Sequence, residues 1–236
     1  MCIRDSHILT RHGLDVLSTS SKPGLLASKE VAGIVGNVDA RSVGFGLGPR
    51  LNAAGRLGKA DNGLHLLTAN DLSVAKVLAN ELEKINQERK KIQEETFLEA
   101  ESLLRNDEDL KNKKVIVLAS EIFHPGVIGI AASKIVDKYH RPTVLIAMEE
   151  GLGKGSGRSI PEFNLFKAFT DCSSHLIQFG GHAYAAGLSI KEENINTFCV
   201  AMNKVGSRYL QEKDLIPKLR IAVSYTHLTL PTIYSV

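Results

Sequence analysis

The sequence predicts an α/β protein in two parts: a helical portion running into one long helix, then a smaller portion built on a mixed sheet. Three observations carry this. From Asp71 onward, apolar residues recur every three or four positions along a single stripe. Two apolar runs, 115–119 and 141–148, flank a helical pattern, which makes a strand–helix–strand unit with a parallel pair. Strand-like, glycine-rich segments then follow at 151–160 and 176–190.

Residues 7–26 have helical spacing at Leu9, Leu14 and Leu17, followed by a Lys-Pro-Gly turn at 22–24 and a further helix over 28–36. The stretch VGFGLGPRLNAAGRLG is dense in glycine and small residues and reads as a loop, or a strand running into a turn. Asp71 is placed to cap the long helix. Leu78, Leu82, Ile85, Arg89, Ile92, Thr96 and Ala100 form its stripe, with Glu81, Lys84, Glu88, Lys91 and Glu95 opposite. A helix of about 30 residues spans about 45 Å, which fits a connector between two domains with one face docked. Its charges alternate in sign, as on a solvated face. Residues 106–114 are a polar loop. After the strand–helix–strand unit come a short helix over 163–169 and a last amphipathic helix over 192–209.

The two ends raise a different question. Met1 to Asp5 can be written ATG TGT ATA AGA GAC, whose reverse complement encodes Val-Ser-Tyr-Thr-His, the residues at 223–227. Such an inverted repeat looks like the end of a sequencing transposon followed by adapter. Residues 1–6 and 222–236 are therefore expected to be scars, outside the fold. With the reading frame cut at both sides, the orphaned segment 7–55 is expected to expose an apolar face.

Composition is that of an ordinary globular protein, 43% hydrophobic and 23% charged, with a net charge of +3. That mild basicity is compatible with nucleic acid. No apolar run of about 18 residues indicates a membrane span. Cys172 and Cys199 form no metal pattern and read as reduced, cytosolic packing residues.

Three segments hold polar side chains amid glycine and alanine. In Gly155-Ser156-Gly157-Arg158-Ser159, small residues would let a ligand reach the backbone, with two hydroxyls and a guanidinium to hold phosphate or carboxylate. The same pattern also suits a plain glycine-rich hairpin with a surface arginine, and it is not a P-loop. Gly180-Gly181-His182 sets an imidazole on a glycine turn, either to meet a phosphate oxygen or to cap the turn. His124 stands before Pro125-Gly126 at a helix start, an anion-binding position or a cap. Arg50, Asn52 and Arg56 belong to the earlier GPRLNAAGRL, where salt bridging between the two parts and stabilisation of a loop are the alternative to a binding role. No metal-ligand spacing and no nucleophile–base pair stands out, so these elements read as a substrate-binding half.

Together, G-P-R-L-N-A-A-G-R-L, N-x-x-R (Asn86, Arg89), H-P-G-V-I-G-I-A-A-S, K-G-S-G-R-S and G-G-H-A-Y-A-A-G resemble, in this order over 7–221, the RecJ family of single-strand-specific 5′→3′ exonucleases, in the DHH phosphoesterase superfamily. Phe123 stands where the family usually has Trp. The resemblance implies a division into the tail of a DHH domain (7–69), a connector helix (70–106), a DHH-associated α/β domain (107–210) and the start of an OB-fold region (211–221).

It further implies phosphodiester hydrolysis by two metal ions, Mn²⁺ or Mg²⁺, in the full-length enzyme, where paired metals activate water and stabilise the leaving oxygen. Their ligands lie in Asp and Asp-His-His motifs upstream of this sequence, so the chain is expected to lack metal ligands and activity of its own. Ser156 and Arg158 would hold the 5′-phosphate of single-stranded DNA, and His182 would contact phosphate near the metals and act in catalysis. Ser159, Gly180, Gly181, His124, Arg56 and Asn52 would line the same cleft. The implied setting is cytoplasmic DNA repair and recombination, with a single-strand-binding protein and a helicase as partners of the whole enzyme. The sequence leaves two rivals: another DHH-type phosphodiesterase acting on short oligonucleotides, and a nucleic-acid-binding module without chemistry.

Overall fold

The computed structural model describes residues 3–58, 60–106, 109 and 113–218, with side chains from residue 6 on. The expected scar at 222–236 and the last residues of the expected OB-fold start, 219–221, lie outside the described residues. At the other end, helix α1 (Ile3–Thr19) runs without a break through residues 3–6, so no structural boundary falls at Ser6.

Helix α2 (Pro23–Val31) begins at the Lys-Pro-Gly turn instead of after it. Proline is pre-organised for the first helical turn, where its missing N–H costs nothing, which is why the turn starts the helix that the pattern placed at 28–36. It ends at Ala32, before Gly33 in the left-handed region at φ 66°. The glycine-rich segment after it is helical throughout. A π-helical turn (Ser42–Leu47) leads straight into α3 (Gly48–Leu57), with Pro49 in the first turn. The expectation of a loop or strand fails because the small residues serve close packing: Ala53 and Ala54 are fully buried, where α3 packs on the long helix.

After α4 (Asp61–Thr68), α5 runs over Leu72–Asn106, 35 residues or about 52 Å at 1.5 Å per residue. Asp71 caps it as expected, its carboxylate accepting from the Val74 N–H at 3.0 Å. Ala27, Ala54, Leu66, Ala75, Ala79 and Leu82 form a small core between the first half of α5 and helices α2 to α4. The second half packs on the sheet portion. The buried line is rotated slightly from the predicted stripe: Ala75, Ala79 and Asn86 are buried, whereas Leu78, Ile85, Arg89 and Ile92 are half-buried. Glu81, Lys84, Glu88, Lys91 and Glu95 are all exposed, as their pattern predicted. Ile8, Leu9, Val16, Val35 and Phe45 of the first portion are exposed, the apolar exposure expected there.

The second portion is a five-stranded mixed sheet in the order β1-β2-β3-β5-β4. Strand β1 (Ile116–Ser120), helix α6 (Ile128–Tyr139) and parallel strand β2 (Thr143–Glu149) make the predicted unit. β3 (Leu152–Arg158), β4 (Gln178–Gly181) and β5 (Ala185–Lys191) join it antiparallel. Helices α7 (Leu165–Asp171) and α8 (Ile195–Tyr209) cover one face through a core that includes Val144, Ile146, Leu188, Phe163, Phe169 and Phe198. On the other face α6 and the end of α5 cover β1 and β2 through Ile116, Leu118, Leu145, Ile128 and Ile135. No helix of the described residues is long and apolar enough to cross a membrane.

Candidate phosphate-binding site

Strand alternation decides what Gly-Lys-Gly-Ser-Gly-Arg does. Successive side chains point to opposite faces. Gly153, Gly155 and Gly157 face the α7–α8 core, and a Cβ on each would lie 2.6 to 2.7 Å from Ile146, Leu188 and Leu165 respectively. These glycines make room for core side chains, not for a ligand, which corrects that part of the sequence reading. Lys154, Ser156 and Arg158 point to the other face, opposite Ala147, Leu145 and Thr143 of β2.

That face is covered by α6 only as far as β3. The Arg158 guanidinium is tied down where α6 begins, donating to Ser156 Oγ at 3.2 Å and to the Gly157 carbonyl at 2.8 Å. Gly129 in the first turn of α6 sits directly above them; a Cβ there would lie 2.7 Å from Arg158 Nη2 and 2.9 Å from Ser156 Oγ.

The His-Pro-Gly turn joins this point to α3. Arg56 Nη1 donates to the Gly126 carbonyl at 3.2 Å, and a Cβ on Gly126 would lie 2.1 Å from the Arg56 carbonyl oxygen. Backbone this close cannot be relieved by a rotamer change. Hence Gly126 is what lets the end of α3 reach the start of α6. His124 Nδ1 accepts the Gly126 N–H at 3.0 Å, which stiffens the turn and leaves Nε2 as the ring's other polar atom. Asn52 lies one turn before Arg56 on the same exposed face of α3. Arg50, by contrast, pairs with Glu83 of α5 at 2.5 Å and anchors α3, a salt bridge within the helical portion and not between the two parts.

Charge is concentrated here. Burial, and then the charge of Arg56, depress the pKa of Arg158, and the same two causes in the same order depress that of Arg89 on α5. Arg89 is a half-buried residue whose Nη1 and Nη2 donate to Gln93 Oε1 at 2.7 Å and Asn86 Oδ1 at 2.8 Å. Among the described residues no carboxylate pairs with Arg56, Arg89 or Arg158.

The remaining predicted residues fall in two groups. Arg158, Ala185 and His182 lie in one row across β3, β5 and the end of β4, the last pair joined by the His182 N–H to the Ala185 carbonyl at 2.8 Å. Strand spacing puts the His182 backbone about 10 Å from that of Arg158. The His182 side chain is exposed. Gly180 is aligned with Gly187 and Ser156 in the next row. Gly181 has φ 139°, and a Cβ there would strike the Ala185 carbonyl at 2.5 Å, so glycine is required by the turn itself.

Ser159 leaves the group: its hydroxyl donates to the Phe163 carbonyl at 2.7 Å and pins the loop into α7. Lys154, Gln178 and Ser189, which the sequence reading passed over, line an open groove of about 470 Å³ on the uncovered face of β3, β5 and β4, with Gly180 and Gly187 as its floor. Among the described residues no group of three or more His, Cys, Asp or Glu could hold a metal ion. The described residues here offer no donor set that fits Mn²⁺ or Mg²⁺.

A helical layer, a long docked helix and a mixed sheet with one cationic, half-open face define an α/β module, and residues 112–207 match the DHHA1 domain family. The chain is RecJ-like over most of its length. It is 36% identical over 216 residues to the single-stranded-DNA-specific exonuclease RecJ of Bacillus subtilis, covering 90% of this chain and 27% of that protein. It is 38% identical to RecJ of Escherichia coli, covering 82% of this chain and 35% of that protein. A crystal structure of RecJ in complex with Mn²⁺ from Thermus thermophilus superposes with a TM-score of 0.77 at 33% identity, over 86% of this chain and 30% of that one. The complex with Mg²⁺ from the same organism superposes with a TM-score of 0.74. The chain thus spans roughly a third of the length of the curated relatives it matches.

Proposed function

We propose that this chain is the substrate-gripping part of a 5′→3′ exonuclease that hydrolyses single-stranded DNA in repair and recombination. Within it, 7–69 would be the tail of the DHH domain, 70–106 the connector, 107–210 the DHH-associated domain and 211–221 the start of an OB-fold region. The observation that carries the reading is the Ser156–Arg158 pair, held at 3.2 Å beneath the first turn of α6 with Arg56 beside it. A guanidinium and a hydroxyl on a rigid strand form a bidentate anchor for a terminal phosphate. Gripping a 5′ end there fixes the direction in which the strand is fed. The open groove past Lys154, Gln178 and Ser189 gives the strand a path across the sheet, and His182 stands on the same row as Arg158 to meet a phosphate near the reacting bond.

The divalent metals named for the Thermus thermophilus structures would be held by the upstream motifs of the complete protein. The complete enzyme would work in the cytoplasm with a single-strand-binding protein and a helicase. This chain by itself would bind a 5′-phosphorylated oligonucleotide without degrading it. The test is fluorescence anisotropy with 3′-labelled single strands, with and without a 5′-phosphate. Arg158→Ala is expected to weaken binding of the phosphorylated strand about tenfold, the value of one charge-assisted bidentate contact. Unchanged affinity would remove the phosphate role. Mn²⁺-dependent degradation of the strand by this chain would overturn the assignment of chemistry to the upstream part.

A further inference from the structure

β1 ends the sheet, so one side of it has no neighbouring strand among the described residues. Its pairing with β2 fixes which backbone groups face that side. The Ile116 N–H donates to the Pro142 carbonyl at 2.9 Å. Alternate residues of a strand turn their N–H and C=O to opposite sides, so Ile116 and Leu118 bond to β2 while Val115, Val117 and Ala119 face outward. At Val115 the outward groups are already engaged. Its N–H donates to Asn203 Oδ1 at 3.2 Å, and Asn203 Nδ2 donates to its carbonyl at 3.1 Å. A side-chain amide of α8 thus stands where the peptide group of a further strand would stand. Val117 and Ala119 have no such partner among the described residues. They open on a groove of about 430 Å³, walled by Leu103 and Asn106 at the end of α5 and by Ile195 and Cys199 of α8. Lys113 also lines the groove, at the start of β1, and no carboxylate pairs with it among the described residues.

We infer that this edge is a docking site for an extended segment of a partner protein, which adds to β1 as a short further strand and carries a carboxylate toward Lys113. Unpaired strand edges are templates for another chain, and natural sheets cover or blunt them. Here Asn203 blunts one position and leaves the next two open. In strand addition the main-chain bonds supply affinity and pockets for alternate side chains supply selectivity. Both are present. Val115 and Val117 belong to the core beneath α8, whereas Ile116 and Leu118 belong to the core that α5 and α6 cover. An added strand would therefore turn alternate side chains toward Ile195 and Cys199 on one side and toward Leu103 on the other. The walls also choose the occupant. Helices stand on both sides of the edge, so a single extended chain can reach Val117 and Ala119, but a second sheet with helices of its own cannot enter. Lys113 is the one charged side chain of the lining, which favours an acidic segment over a basic one. The groove lies at the edge of the sheet opposite β4, and it needs no part of the Ser156–Arg158 site.

The probe is a fluorescein-labelled peptide, Thr-Val-Leu-Val-Glu with an amidated end, titrated into the 236-residue chain and followed by anisotropy. Laid antiparallel along β1, it sets its two valines opposite Ala119 and Val117 and its glutamate at the Lys113 end. N-methylation of the two valines is expected to weaken binding about fivefold or more, the value of one to two net hydrogen bonds. N-methylation of the leucine, whose N–H points away from β1, should change it less than about twofold. Ala119→Pro removes an outward N–H and leaves the bonds to β2, as proline at a sheet edge does, and should cost about fivefold in affinity. The wild-type chain should prefer the glutamate peptide to its lysine counterpart by about threefold, and Lys113→Glu should reverse that order. By amide exchange, Val117 and Ala119 should exchange faster than Ile116 and Leu118 in the free chain and slow down when the peptide binds. Equal exchange of all four amides in the free chain would show that the edge is already covered and would overturn the inference. So would a peptide that does not bind, or one whose affinity is indifferent to N-methylation of its valines. If the chain instead forms a dimer that Ala119→Pro dissolves, a second copy takes the edge and the peptide assignment is wrong. Should Ala119→Pro fail to fold, the N-methylated peptides decide the matter on the wild-type chain.

Discussion

Gly129 of α6 lies against the Arg158 guanidinium so closely that a methyl group on it would stand 2.7 Å from Nη2 and 2.9 Å from Ser156 Oγ. The obstructed group is the far end of a flexible side chain, which can move away at little cost. Alanine is also favoured over glycine within a helix, by about 0.5–1 kcal/mol in the interior and by less in the first turn, where Gly129 lies. Gly129→Ala is therefore expected to leave thermal stability unchanged or slightly raised while displacing Arg158. Affinity for a 5′-phosphorylated strand should fall about fivefold, in the range of a weakened charge-assisted contact. An unchanged affinity with a raised melting temperature would show that this position of Arg158 is not the binding one.

The glycine of β3 nearest the sheet centre should behave in the opposite way. A Cβ on Gly155 meets Leu188 Cδ1 at 2.7 Å and Cγ at 2.8 Å in the closed core. Gly155→Ala is expected to cost about 1–3 kcal/mol through overpacking. Urea titration would read this as a lower midpoint at unchanged slope. Phosphate preference should survive under conditions where the variant is folded, because Ser156 and Arg158 point to the other face.

Ser159 separates sequence proximity from spatial membership of the site. Its hydroxyl is committed to the Phe163 carbonyl. Ser159→Ala is expected to cost about 1 kcal/mol for one lost hydrogen bond and to leave oligonucleotide affinity within about twofold. Ser156→Ala should do the reverse. Equal losses of affinity in both variants would return Ser159 to the site.

The clamp between α5 and α6 gives a pH dependence. Glu101 of α5 is buried and accepts from Lys138 of α6 and from Arg105 at 3.1 Å. The Lys138 hydrogen bond, ahead of the opposing cost of burial, pulls the Glu101 carboxyl below its usual value. A carboxyl depressed in the folded state stabilises the fold fully above its unfolded pKa of about 4.3, and the contribution is lost as pH falls through the lower folded value. Glu101→Gln should accordingly be less stable than wild type at about pH 7, with the two denaturation curves converging below about pH 4. A constant difference across that range would show that packing, not charge, explains the loss.

Much of this was legible before the fold was known. The parallel strand–helix–strand unit followed from two apolar runs around a periodic one. The long helix followed from its stripe and from Asp71. Ser156, Arg158, Arg56 and His124 were picked out as polar residues among small ones, and the structure gathers them at the start of α6. What misled was composition without periodicity. Glycine-rich text between 43 and 58 read as a loop, yet its small residues let α3 lie close on α5. The glycines of β3 read as access for a ligand, yet they admit Ile146, Leu188 and Leu165 into the core.

By itself the sequence determined most of the element types, the mixed sheet, the family likeness and most of the cationic side chains, because periodicity, turn chemistry and residue type are local properties. Only the tertiary structure decided which of those side chains act together. Arg56 and Arg158 come from elements far apart in the sequence. They approach the same turn because Gly126 and Gly129 lack the carbon that would hold α3 and β3 away from α6. Side-chain direction along β3 decided the rest. Alternation turned Ser156 and Arg158 to the open face, and the hydrogen bond to Phe163 took Ser159 out of the group.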